Sequence, residues 1–219
     1  MSENPFINHL SQVFSQGINH DDPKILGYHG TSLQTLMFAA KNGYLPVTSG
    51  SEKHKGGTHD QAFTSYGKDY SLYGIHLVPN PNNKDVKEML FKRTLETKPY
   101  KQAQEWAKWA KGFHSQFEKY GLDINNPEHH RIAMDLEAKP NKEEVVKQHK
   151  LPKPLQNFTH GAVVLAISDE VMHNFQVNMG ADGDDLNIIT KKLPIQFIIG
   201  IEPQDDETYN YLDNLLNLS

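Results

Sequence analysis

Two histidines sit where a chain of this kind could do chemistry. The first, His29, stands in "KILGYHGTS" between a short apolar run and Gly30, with Thr31 and Ser32 following. The second, His76, stands in "YGIHLVP", bounded by Gly74 and Pro79. An imidazole changes charge near neutral pH, can accept or donate a proton and can bind phosphate. A histidine and a glycine at the exit of a strand put the ring at a sheet edge and let a ligand approach bare backbone, because glycine has no Cβ. Taken singly, either histidine would be expected merely to satisfy a hydrogen bond at a strand end. Their order and element types favour a site.

The elements that must position them are legible in outline. Asn4 caps and Pro5 opens an amphipathic helix carrying Phe6, Ile7, Leu10, Val13 and Phe14 before Gly17. Ile25 to Tyr28 reads as a strand, and Leu33, Leu36, Met37 and Ala40 follow at helix spacing until Asn42 and Gly43. From Val47 to Tyr70 the chain is rich in Gly, Ser, Thr and Lys and reads as a long loop. "YGIHLVP" is a strand, with a short helix around Val86 to Phe91 after it. Trp106, Trp109, Phe113, Phe117 and Tyr120 form an aromatic stripe expected to be core, with further helices across Glu128 to Glu137 and Glu143 to Gln148. "GAVVLAI" reads as a strand buried on both faces; "LNIIT", "IQFIIGIEP" and a short leucine-rich helix close the chain. Strands near both ends and helices in the middle predict an α+β domain. The expectation is a single domain over residues 1–219 with a helical insertion at about 100–154.

Composition narrows the classes. The 22 Lys and Arg against 27 Asp and Glu leave a net charge of −5, which gives no electrostatic reason to bind nucleic acid or an anionic membrane. There is no cysteine, which removes disulfides, thiolate metal sites and cysteine nucleophiles together. Twelve histidines invite a metal, yet no His-Glu-x-x-His or comparable spacing occurs, so no metal is expected. P-loop, Rossmann and Gly-x-Ser-x-Gly patterns are missing too. No stretch approaches the roughly 20 apolar residues of a membrane span. The start has neither a basic segment nor an unbroken apolar run, so the expected location is the cytoplasm, or outside the cell by a route without an ordinary secretory signal.

With "YHGTS", "YGIHLVPNPNNKDVKEML" and "GDDLNIITKKLPIQFIIGI" in this order, the chain resembles the ADP-ribosyltransferase superfamily, which includes diphtheria-toxin-like toxins and poly(ADP-ribose) polymerases. The resemblance runs from about Ile25 to Ile201. It implies a split antiparallel sheet, with NAD as the substrate clamped between two small sheets. Gly30 would hold the nicotinamide carboxamide through its backbone and His29 a ribose hydroxyl, with Thr31 beside them. Tyr66, Tyr70 or His76 would lie against the nicotinamide. His76 replaces the family's usual tyrosine and is similar to the second motif of the tRNA 2′-phosphotransferases. The family's late glutamate is replaced by Leu186 or Asn187, so Asp184 or Asp185 becomes the carboxylate expected to stabilise an oxocarbenium-like state. The catalytic set is thus His29, His76, Asp185 and Asn187.

The function implied is NAD-dependent mono-ADP-ribosyl transfer to a protein acceptor, of the kind carried by bacterial toxins and effectors. One alternative is an RNA 2′-phosphotransferase, with the acidic charge and only 28 residues ahead of His29 standing against it. Another is a catalytically silent member that binds NAD or a partner. In the transferase reading, the helical stretch from Tyr100 to about Pro154 would form a wall for the acceptor.

Overall fold

The computed structural model of the chain describes residues 4–46, 74–89, 99–123, 126–138, 140–156, 160–179, 185–190 and 192–217. Tyr66, Tyr70 and Asp184 lie outside these residues, as does the whole of the loop expected between Val47 and Tyr70.

Local signals start and stop the first two helices as the sequence predicts, whereas the strand expected over Ile25 to Tyr28 runs on to Ser32 and takes His29 and Gly30 into the sheet. Helix α1 (Pro5–Gln16) begins where the Asn4 side chain accepts from the Phe6 N–H, and ends at Gly17 with φ +65°. Strand β1 (Ile25–Ser32) runs directly into α2 (Leu33–Asn42), whose N-cap is Ser32 and whose left-handed C-cap is Gly43. A three-residue strand β2 (Tyr44–Pro46) follows. Then come β3 (Gly74–Pro79) and a short helix α3 (Lys84–Met89).

The middle of the chain holds the long helix α4 (Pro99–Tyr120), then α5 (Pro127–Ala138) and α6 (Lys142–Gln148). Strand β4 (Ala162–Ser168) is buried at every position, as its unbroken apolar run requires. A 3₁₀ turn leads to β5 (Gln176–Met179), followed by β6 (Leu186–Ile189) and β7 (Lys192–Pro194). Residues Ile195–Phe197 of the predicted strand "IQFIIGIEP" form a 3₁₀ turn, and only Ile198–Pro203 is strand β8. Helix α7 (Asp206–Asn217) ends the fold.

Six strands form one antiparallel sheet in the order β5-β6-β3-β1-β4-β8, and β2 pairs with β7 in a separate ribbon. The protein is therefore α+β, with seven helices around these two sheets among the described residues. One face of the large sheet packs on α1, α2 and α7 through Leu10, Phe14, Leu36, Leu165, Ile167 and Leu212. The other face packs on α4, where Tyr28, Val78, Val164 and Ala166 meet Ala103 and Ala107.

The segment at about 100–154 divides in two. The first half of α4 is core: Ala103 and Ala107 have no exposed surface and close directly on β1. Helices α5 and α6 instead build small clusters of their own with the end of α4, through Phe113, Phe117, Tyr120, Ile132, Leu136 and Val145. The aromatic stripe of α4 is likewise not all core. Phe113, Phe117 and Tyr120 are buried, but Trp109 is 55% exposed, stacked flat on Phe113 at 5.2 Å.

Candidate functional site

The site begins where a strand pair opens. Strands β1 and β3 pair at Gly27 with Pro79 and Tyr28 with Val78, and no further. Continued in the same register, the ladder would set Gly30 opposite His76. Beyond Tyr28, however, β3 pairs only with β6, from Leu77 with Leu186 to Gly74 with Ile189.

Antiparallel strands alternate the edge to which each residue turns its peptide groups. The Asn80 N–H donates to the Leu26 carbonyl at 2.9 Å, so even-numbered residues of β1 face β3. The Leu33 N–H donates to the Gly161 carbonyl at 2.9 Å, so odd-numbered ones face β4. The N–H and C=O of Gly30 are thereby directed into the opening.

The carbonyl that would have paired with Gly30 has another partner. Nδ1 of His29 lies 2.9 Å from the His76 carbonyl oxygen. A carbonyl only accepts, so Nδ1 carries the proton, and Nε2 of the neutral ring is left as an acceptor. Neutrality is favoured: His29 is held down to about 4, chiefly by burial, with the His76 ring adding to the depression and the hydrogen bond to the His76 backbone opposing it. Gly30 is glycine for a reason the sequence did not reveal. A Cβ there would come within 2.1 Å of the Ala103 carbonyl oxygen and 2.6 Å of the Ala107 nitrogen, both on α4. The bare face expected to admit a ligand is occupied by helix backbone, and what remains free for a ligand is the peptide edge. Thr31 is only 3% exposed and sits within the β1–β4 ladder opposite Val163.

His76 is held from the other strand. Its Nδ1 donates to Oδ2 of Asp185 at 2.7 Å, and the two side chains are 45% and 23% exposed. Asp185, expected as a carboxylate free to face developing positive charge, has one oxygen committed to this ring. Asn187 lies directly opposite His76 on β6, and Asn178 directly opposite Asn187 on β5. The row His76, Asn187, Asn178 thus crosses three strands. Within it, Oδ1 of Asn187 and Nδ2 of Asn178 are buried with no hydrogen-bond partner among the described residues. Asn178 and its strand had no sequence signal, since four residues are too few to show a period.

A second buried imidazole backs β1. Nδ1 of His114, on α4, is 2.6 Å from Oγ of Ser32 and 3.3 Å from Oγ1 of Thr35. Burial holds His114 down to about 4, with His130 and then His29 contributing. Ser32 has no exposed surface and also receives the Thr35 N–H, so this pair anchors the start of α2 on α4 and presents no nucleophile. Two other histidines also bind backbone: Nε2 of His9 donates to the carbonyls of Ile195 and Ile198, and Nδ1 of His129 accepts from the Asp123 N–H.

Glu202 stands on edge strand β8 opposite Val164, two strands from Gly30, where it faces His20 at 3.5 Å. It is no part of the opening. Among the described residues, no three His, Asp or Glu side chains converge as metal ligands, and no helix is long and apolar enough to cross a membrane. No family model, curated protein or solved structure matches this chain.

Proposed function

We propose that this protein is an NAD-dependent mono-ADP-ribosyltransferase acting on a protein, built on a split-sheet core of that superfamily's kind. The observation that carries the reading is the opening between β1 and β3, where a free peptide edge at Gly30 stands beside an imidazole whose tautomer is set. A carboxamide has one donor group and one acceptor oxygen, which the C=O and N–H of Gly30 can meet as a backbone strand would. Nε2 of His29 can accept from a ribose hydroxyl, because Nδ1 is already spent on His76. Cleavage of the nicotinamide bond builds positive charge on the ribose. A site that keeps His29 neutral avoids opposing that charge.

The test is nicotinamide release and NAD binding by calorimetry, comparing the protein with His29→Ala. Release by the unaltered protein, abolished by the substitution, supports the reading; equal signals from the two would sink it. Binding without turnover would favour the catalytically silent alternative. The RNA 2′-phosphotransferase reading has one specific support: His76 with a carboxylate partner suits phosphate chemistry better than a stacking role. Activity on a 2′-phosphorylated RNA, with none on proteins, would put that reading first.

A further inference from the structure

The row beside the opening is more than ligand packing requires. An imidazole with Nδ1 bound to a carboxylate is fixed in one orientation, and its Nε2 is left as a proton acceptor. His76 and Asp185 have this relation, and the ring is the more exposed of the two. Next to it lie one buried acceptor, Oδ1 of Asn187, and one buried donor, Nδ2 of Asn178, each without a partner among the described residues. Such orphans are unfavourable to a fold unless something satisfies them. Bound chain could do so: an extended peptide offers one N–H and one C=O per residue.

We propose that this row is the acceptor subsite, that its substrate is a serine or threonine in an extended polypeptide segment, and that His76, oriented by Asp185, takes the hydroxyl proton. The inference rests on the ADP-ribosyl transfer reading. The presence of a base points away from a carboxylate acceptor and is what a hydroxyl acceptor requires. A carboxylate acceptor is already deprotonated and needs none, whereas a hydroxyl must lose its proton as it attacks. The bond from ribose C1′ to the nicotinamide nitrogen breaks and nicotinamide leaves with the electron pair. The acceptor oxygen bonds to C1′, and its proton passes to Nε2 of His76 and then to water. Asn187 receives the acceptor's N–H and Asn178 donates to its C=O. Nucleic acid hydroxyls are the less favoured source, because the chain's charge of −5 repels a polyanion.

The experiment uses the full chain, labelled NAD and a panel of peptides offering Ser, Thr, Arg or Glu, with an RNA oligonucleotide alongside. His76→Gln and Asp185→Asn are compared with the unaltered protein, each first shown to unfold at the same urea concentration. Label is expected on Ser or Thr peptides, in a linkage that survives neutral hydroxylamine. Transfer should fall by about 100-fold or more in His76→Gln, the ordinary contribution of a general base, while the affinity for NAD stays within about threefold. The rise of transfer rate with pH should vanish in that variant, which loss of a merely structural contact would not produce. Asn178→Ala should raise the acceptor KM more than it lowers kcat. Label on Arg, Glu or RNA, or undiminished transfer by both His76→Gln and Asp185→Asn, overturns the proposal. Absence of any NAD binding or cleavage by the unaltered protein instead defeats the reading beneath it.

Discussion

The two halves of the large sheet are built to different rules. On one side, β1, β4 and β8 pair over long registers, and β4 has apolar side chains buried on both faces. Helix α4 seals this half so closely that Gly30 has no room for a methyl group. On the other side, β6 and β5 have four residues each, and the three strands β3, β6 and β5 carry His76, Asn187 and Asn178 in a row on the face opposite Ile75, Leu186 and Ile188. Strand β1 belongs to the first half by its packing and borders the second by its free edge. The difference separates two tasks: one half holds β1 rigid, and the other presents polar groups whose partners are incomplete.

Substitutions should respect that division. The largest loss is expected from Leu165→Ala, which empties a fully buried site in β4 and should cost about 2–5 kcal/mol in urea unfolding. Gly30→Ala should follow at about 3 kcal/mol, because its clash is with α4 backbone, which cannot swing aside as a side chain would. A stability near that of the unaltered protein would mean that the seam between β1 and α4 is looser than described.

Acid should also act through the sealed half. His29 and His114 have folded values near 4 against an ordinary 6.5, so between these limits the unfolded chain binds more protons than the folded one. Stability present above pH 6.5 is lost as pH falls toward 4, by up to about 3 kcal/mol for each ring. Urea midpoints measured across this window should slope accordingly, and His114→Gln should flatten the slope. The smallest effect belongs to the polar half. Removing the unpartnered amide in Asn178→Ala should change stability by less than about 1 kcal/mol in either direction, since no bond from its Nδ2 is lost. A loss of several kcal/mol there would abolish the contrast between the halves.

What was legible in the sequence is what local physics writes into it. The Asn4 cap, the Gly17 and Gly43 stops and the buried run of β4 each depend on residues within a few positions of one another. The two histidines could be picked out because each sits in a recognisable strand close to a glycine. Other parts depend on distant pairings that leave no local trace. Ser32 meets His114 across 82 positions, and His76 meets Asp185 across 109. The ribbon of β2 and β7 has three residues per strand, too few for an alternation. Trp109 shares the helical spacing of its buried neighbours, but periodicity alone does not say where a helix runs past the edge of the body it covers.

The bond from His29 to the His76 carbonyl has a mechanical consequence. It works as a wedge in a zipper: while the imidazole holds that oxygen, the two strand edges cannot anneal past Tyr28. Remove the ring, and Gly30 and His76 are already in register to join, so the opening would close by gaining the backbone bond it now lacks. The amide of Gly30, turned toward the opening while the wedge is in place, would then gain a backbone partner and exchange more slowly than before.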